Sequence, residues 1–269
     1  MINYRNSGAF YESIKVKGDT AHKMIRFLWL NTFILVCTII FCLWGFLVSI
    51  FDKDGRIIHF YVAVPWAKVV LRVCGIKVRA GGQENVDAGV PRIYVTNHQS
   101  YFDIFALLAN IHVDFKFIVK QELMRIPLFG FAMRKAGYIG IERGNLRKAI
   151  ESMNKAAERI KSGVSILIFP EGTRSTDGRI QRFKKGGFHL ACRSGCDIVP
   201  VTIIDSNRIV PKGSLRIDKG SINMKIGKPI SVKGYNKKNV SQLIERVRYT
   251  MLRQMEETSP DTIDEAVDL

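Results

Sequence analysis

The sequence predicts an α/β fold with a mostly parallel central sheet flanked by helices, preceded by a membrane-inserting helical hairpin at the N-terminus. Three observations predict it. From Gly75 onward, short β-rich runs alternate with segments of helical periodicity, the pattern of a layered α/β fold. Residues 164–169 are an unbroken apolar run, as expected of a strand covered on both faces. Residues 27–51 carry no charged side chain, and as a helix they reach roughly 37 Å, past the ~30 Å hydrocarbon core of a bilayer.

The elements follow in order. The apolar run is preceded by a polar leader, residues 1–23, and lacks a small-residue cleavage site after Ser49, so it does not read as a signal peptide. Arg5, Lys15, Lys17, Lys23 and Arg26 precede the run, which keeps the N-terminus cytoplasmic by the positive-inside rule. A second apolar stretch, 57–73, contains Pro65, Lys68 and Arg72 and reads as an interfacial amphipathic helix. The turn Asp52-Lys53-Asp54-Gly55 joins the two. A hairpin dipping into one leaflet leaves both flanks on one side, whereas a single span would export everything after it. In the body, strands are predicted at 76–80, 92–96, 115–120, 138–141, 164–169 and 198–204, with a hairpin of 215–218 and 222–226. Helices are predicted at 104–109, 128–135, 145–161, 183–193 and 240–256. That of 145–161 is the clearest: Asn145 caps it, and Leu146, Ala149, Ile150, Met153, Ala157 and Ile160 share one side. The chain thus divides into a membrane-associated segment (1–74), an α/β domain (75–255) and an acidic tail (256–269) expected to be disordered.

Composition narrows the function. Of 269 residues, 47% are apolar and 24% charged, which excludes a disordered chain, a collagen-like repeat and a polytopic transporter. The net charge is +17, and the last fourteen residues hold six acids and no base, leaving 41 basic against 18 acidic side chains elsewhere. Such a surface favours polyanions: nucleic acid, an anionic membrane or a phosphorylated substrate. No nucleic-acid recognition motif accompanies it. Cys37, Cys42, Cys74, Cys192 and Cys196 lack a second Cys/His pair at zinc spacing and read as reduced, partly buried thiols.

Chemistry is written in three places, each at a predicted strand end, where sites form in open α/β sheets. Asn97-His98-Gln99-Ser100-Tyr101-Phe102-Asp103 sits between a strand and a helix. His98 and Asp103 can meet only if the histidine lies in the turn and the aspartate in the first helical turn, since five helical residues rotate about 140°. The carboxylate then holds one ring nitrogen and makes the other a base. Phe169-Pro170-Glu171-Gly172-Thr173-Arg174-Ser175 ends another strand: Pro170 stops the ladder, Gly172 allows a tight turn and Arg174 offers a planar fork for phosphate. Lys184 and Lys185 add charge nearby. Gly137 to Arg143 carries Arg143 to the same edge, and Lys120 ends its own strand there. Together these make a site that activates a nucleophile on a phosphorylated substrate.

These segments, with Ile198-Val199-Pro200-Val201, occur in the order and approximate spacing of the four blocks of the glycerolipid acyltransferases. Over residues 75–228 the chain resembles bacterial 1-acyl-sn-glycerol-3-phosphate (lysophosphatidate) acyltransferases, as does its two-helix N-terminus. One departure is Gly140, where relatives often carry a bulkier apolar residue, which bears on pocket shape. The resemblance implies acyl transfer from acyl-CoA or acyl-carrier protein to the sn-2 hydroxyl of 1-acyl-glycerol-3-phosphate, giving phosphatidic acid. It implies His98 as general base, Asp103 as its orienter, and direct attack on the thioester with no acyl-enzyme, no metal and no cofactor. It further implies Arg143, Glu171, Gly172, Thr173, Arg174 and Lys120 as acceptor- and phosphate-binding residues, and Pro200 as part of the pocket wall. The expected setting is the cytoplasmic side of the cell inner membrane, held on anionic lipid at about 1 kcal/mol per well-placed Lys or Arg.

Three other readings compete. An acyltransferase for another lysolipid acceptor shares the His98 block. A basic, non-enzymatic lipid-binding protein needs the charge and the hairpin but not the His98–Asp103 pair. A metal-assisted phosphoesterase would need more ligands than His98, Asp103 and Glu171 supply.

Overall fold

In the computed structural model, which describes residues 7–142 and 144–258, the chain begins with helix α1 (Ser7–Val48). A turn leads to α2 (Arg56–Ile58), a π-helical turn (His59–Ala63) and α3 (Val64–Cys74). The body then runs β1 (Ile76–Gly81), β2 (Ile93–Thr96), α4 (Phe102–Asn110), β3 (Phe115–Lys120), α5 (Phe129–Lys135) and β4 (Ile139–Ile141). It continues with α6 (Leu146–Lys161), β5 (Ser165–Ile168), α7 (Gly186–Ser194), β6 (Ile198–Ile204), α8 (Ser206–Ile209), β7 (Gly220–Ile226) and α9 (Val240–Glu256). Asn145 caps α6 by accepting from Lys148 N at 3.1 Å. Residues 259–269, most of the predicted acidic tail, lie outside the described residues.

The seven strands form one sheet in the order β1-β7-β6-β2-β5-β3-β4. Every neighbouring pair is parallel except β6–β7. Ile93, Tyr94, Val95, Ile166 and Leu167 are wholly buried in its centre, each stabilising the fold by about 1.5–3 kcal/mol. Residues of α1, α3 and α4 pack on one face, and those of α6, α7 and α9 on the other. The connection from β2 runs through α4 to β3, whereas that from adjacent β5 runs through α7 back to β6. The chain therefore departs in opposite directions from two neighbouring strand ends, and the crevice between them is where an open sheet places its ligand.

The predicted pairing of 215–218 with 222–226 does not form. Residues 215–218 are not a strand, and β7 pairs instead with β1 and β6. Other partners claim their backbone: Leu215 O accepts from Asn31 Nδ2 at 3.2 Å, and Asp218 N donates to Ile209 O at 3.0 Å. The segment thus bridges α1 to the body.

The N-terminal helices pair as an antiparallel hairpin, with Trp66 Nε1 donating to Thr38 Oγ1 at 3.2 Å. Asp52 shapes the turn, its two oxygens accepting from Gly55 N at 2.9 Å and Ile58 N at 2.6 Å. Lys116 Nζ, buried at the start of β3, donates to Gly55 O at 2.9 Å. Gly55 has φ +82°, and a Cβ there would lie 2.5 Å from Ala136 O. The turn is therefore latched to the base of the sheet, and the hairpin lies along the body. Segments His22–Val48 and Arg56–Cys74 are each long and apolar enough to cross a membrane, and they are candidate membrane-inserting segments. Leu28, Leu35, Ile39, Leu43 and Leu47 recur at seven- and four-residue spacing and are all exposed, an apolar stripe of about five turns facing away from the body.

Candidate active site

β2 ends at Thr96, where its backbone turns away from β6. Asn97 replaces the lost ladder with its side chain, accepting from Ile203 N at 2.8 Å and donating to Ile203 O at 2.7 Å. The chain folds back so that wholly buried Asp103, in the first turn of α4, gathers three donors on one oxygen. His98 Nδ1 and Gln99 N lie 2.7 Å from Asp103 Oδ2, and Ser100 N 2.9 Å. With Nδ1–H held by a carboxylate, the lone pair sits on Nε2, and Nε2 makes no hydrogen bond among the described residues. The Phe169 ring stacks on the imidazole, centroids 4.1 Å apart and planes 27° apart. The ring is thus fixed in plane by the carboxylate and in face by the phenylalanine.

The neighbouring turn, after β5, is tied to the first. Glu171 is 4% exposed. One of its oxygens accepts from His98 N at 2.9 Å and the other from Gln181 N at 3.0 Å. Burial pushes its carboxyl pKa up, opposed by those two backbone donors. Ser175 N donates to His98 O at 2.7 Å. Gly172 has φ +74°, and a Cβ there would lie 2.8 Å from Lys184 Nζ, so the turn needs glycine for conformation and packs the ammonium over it.

A cavity of about 560 Å³ opens beside these turns. His98, Tyr101, Gly172, Thr173, Arg174 and Lys120 line it where the strands end. It runs along β3 past Phe117, Val119 and Tyr138 to Ile58, Met133 and Ala136, walled by Ile34, Phe41 and Cys42 of α1. Its lining is overwhelmingly apolar with polar groups at one end, the form that takes an amphiphile.

The structure thus brings together His98, Asp103, Gly172, Thr173, Arg174 and Lys120. Lys120 is half exposed and paired with Glu122 at 3.2 Å. Arg143 lies outside the described residues. Two predicted residues are corrected. Glu171 reaches the site, but its oxygens are engaged by backbone N–H groups and it does not line the cavity, so it braces the two turns. Pro200 is absent from the cavity wall: Val199 and Val201 belong to the α4 face of the sheet, so alternation turns Pro200 to the other face, beside Gly227. Gly140 is also away from the cavity; Gln121 Oε1 occupies the place of its missing side chain. Asn97, Gln99, Tyr101 and Phe169 were not singled out from sequence. Their one signal was position beside the His98 and Glu171 segments; Gln99 is 1% exposed and donates to Gly178 O at 2.6 Å. No cluster of three or more potential metal ligands occurs among the described residues.

A family model described as Acyltransferase matches residues 77–204. A chloroplastic 1-acyl-sn-glycerol-3-phosphate acyltransferase of Arabidopsis thaliana is 38% identical over 185 residues, covering 68% of this chain and 51% of the relative. The alpha form of 1-acyl-sn-glycerol-3-phosphate acyltransferase from Homo sapiens is 31% identical over 188 residues, covering 70% of this chain and 66% of the relative. The chain spans about half the length of the chloroplastic relatives from Arabidopsis thaliana and Brassica napus. The crystal structure of the 1-acyl-sn-glycerophosphate acyltransferase PlsC from Thermotoga maritima superimposes with a TM-score of 0.76 at 27% identity, covering 88% of this chain and 96% of that one.

Proposed function

We propose that this chain, whose residues 77–204 match the Acyltransferase family model and which is 38% identical over 185 residues to a 1-acyl-sn-glycerol-3-phosphate acyltransferase, acylates the sn-2 hydroxyl of 1-acyl-glycerol-3-phosphate, giving phosphatidic acid. The donor is acyl-CoA or acyl-carrier protein. The observation that carries the reading is the 2.7 Å contact of His98 Nδ1 with Asp103, with His98 lining the polar end of an apolar cavity. Nε2 takes the hydroxyl proton as the oxygen attacks the thioester carbonyl; the new C–O bond forms, the C–S bond breaks, and His98 gives the proton to the departing thiolate, so that the free thiol leaves and the imidazole is neutral again. Asp103 stabilises the imidazolium between these steps. Ser100, whose hydroxyl donates to Val210 O at 3.0 Å, has no part as a nucleophile, and no acyl-enzyme forms.

Arg174 and Lys120 read the acceptor phosphate, joined by Arg143, while Gly172 and Thr173 shape the turn beside it. Glu171 acts by bracing. The cavity along β3 takes an acyl chain. The apolar stripe of α1 rests in the membrane, and the body stands on the cytoplasmic side of the inner membrane against anionic lipid. The reaction as proposed uses neither metal nor cofactor, and nucleic acid is not a partner.

The test is the purified full chain with one labelled acyl-CoA and a panel of lysolipid acceptors. Lysophosphatidate is expected to be preferred over lysophosphatidylcholine and lysophosphatidylethanolamine, because a phosphate monoester offers more charge to the arginine fork. Equal use of lysophosphatidate and the two phosphodiester acceptors would overturn the assignment of the acceptor. Chelation with EDTA is expected to leave turnover intact, and loss restored by one divalent ion would restore the metal-assisted reading.

A further inference from the structure

Arg174 is held in an unusual way. Its guanidinium carbon lies 3.7 Å from the centroid of the Tyr101 ring. It makes no hydrogen bond or ion pair among the described residues, and Nη1 is buried without a partner. An arginine beside a ligand site is ordinarily oriented by a carboxylate, which then competes with an incoming anion. A ring face orients the plane through cation–π attraction and takes up none of its N–H donors.

Tyr101 is well placed for this. It immediately precedes α4, three residues beyond His98, on the turn that Asp103 ties together through Gln99 N and Ser100 N. It is 48% exposed, so core packing does not account for the ring, and it lines the cavity with His98 and Arg174. The residue after Arg174 is bonded to the carbonyl of His98. The cation is therefore registered twice against the turn that carries the imidazole, once through backbone and once through the ring.

We propose that Tyr101 is a positioning residue for Arg174, holding the guanidinium uncompensated and at a set distance from His98, so that an acceptor phosphate on Arg174 brings the neighbouring hydroxyl to Nε2. The proposal rests on the reading of Arg174 as the phosphate contact. Its test is a double-mutant cycle of Tyr101→Leu and Arg174→Ala, with Tyr101→Phe as the conservative variant, measuring kcat and KM for lysophosphatidate and for acyl-CoA. Tyr101→Leu is expected to lower kcat/KM for lysophosphatidate roughly 3- to 30-fold, the range of a partly desolvated cation–π contact, and to leave the KM for acyl-CoA in place. Tyr101→Phe, which keeps the ring face, restores most of the loss. In the Arg174→Ala background Tyr101→Leu adds little, because the contact is already gone. Full additivity of the two changes, equal shifts in both substrates' KM, or a Tyr101→Leu enzyme indistinguishable from wild type would each overturn the proposal. Should Arg174→Ala itself leave the acceptor's kcat/KM unchanged, the phosphate reading fails first, and that outcome is distinct from a silent Tyr101→Leu beside an impaired Arg174→Ala.

Discussion

The two turns at the adjacent ends of β2 and β5 are built on opposite plans. In the first, His98 is held at its Nδ1 edge by Asp103 and on its face by Phe169, and its backbone N–H and carbonyl are engaged by Glu171 and Ser175. In the second, both oxygens of Glu171 accept from backbone N–H groups, whereas among the described residues Arg174 meets a ring face and no hydrogen-bond partner. Under the proposed function, the difference would let one site serve two tasks. A group that exchanges a proton gains from being fixed beforehand, since its geometry then costs nothing during reaction. A group that reads a ligand gains from keeping its donors without internal partners, since the ligand then completes them.

The largest expected effect breaks the first turn. His98→Ala should lower turnover 10²–10⁴-fold with the fold intact, the usual contribution of a general base. Retention of more than about a tenth of wild-type turnover by a folded variant would falsify the assignment. Asp103→Asn is the sharper probe. All three donors meet Oδ2 while Oδ1 has no partner among the described residues, so an amide can present its oxygen to them and its NH2 in the place of Oδ1. The variant should fold, keep the turn and still lose roughly 10² or more in kcat, because the imidazolium loses its counter-charge. Rates set beside circular dichroism would show whether charge or geometry is responsible.

Breaking the second turn should cost less. Arg174→Ala should lower kcat/KM for the acceptor about 10- to 150-fold, as for one charge-assisted hydrogen bond. The donor's KM should move much less. A defect confined to acyl-CoA would shift Arg174 to the donor side.

The brace between the turns has a pH signature. Burial raises the Glu171 pKa, so the folded protein holds this proton at pH values where the unfolded chain, near 4.5, has released it. Glu171's contribution to stability should therefore fall as pH rises from about 4.5 through the raised value, then level off. Urea denaturation of wild type and Glu171→Gln between pH 4 and 7 should show the gap moving against wild type across that window. A gap independent of pH would mean that the two backbone donors cancel the burial. The smallest effect concerns the membrane. High salt should release little of the full-length chain, since apolar burial is unscreened while surface charge is. Quantitative release by salt alone would show that the α1 stripe is not inserted.

What was legible without the structure is what depends on near neighbours in sequence. Strand and helix alternation follows from local periodicity. The His98–Asp103 contact closes within five residues, and the hairpin follows from an uncharged run and a polar turn. What depends on strand order was not legible. Pro200 was expected in the cavity wall, but the face it presents is set by which neighbours Val199 and Val201 meet across the sheet. Glu171 was read among ligand contacts, yet its donors come from residues 73 and 10 positions away. Residues 215–218 look like a strand until Asn31, 184 positions earlier, takes the carbonyl of Leu215. The stack of Tyr101 on Arg174 spans two segments that meet only because β2 and β5 are neighbours in the sheet. Local sequence determined the chemistry available at each strand end, because backbone preference and side-chain spacing act over a few residues. Which of those groups face one another was decided by the tertiary structure, because that pairing depends on contacts between segments far apart in the chain.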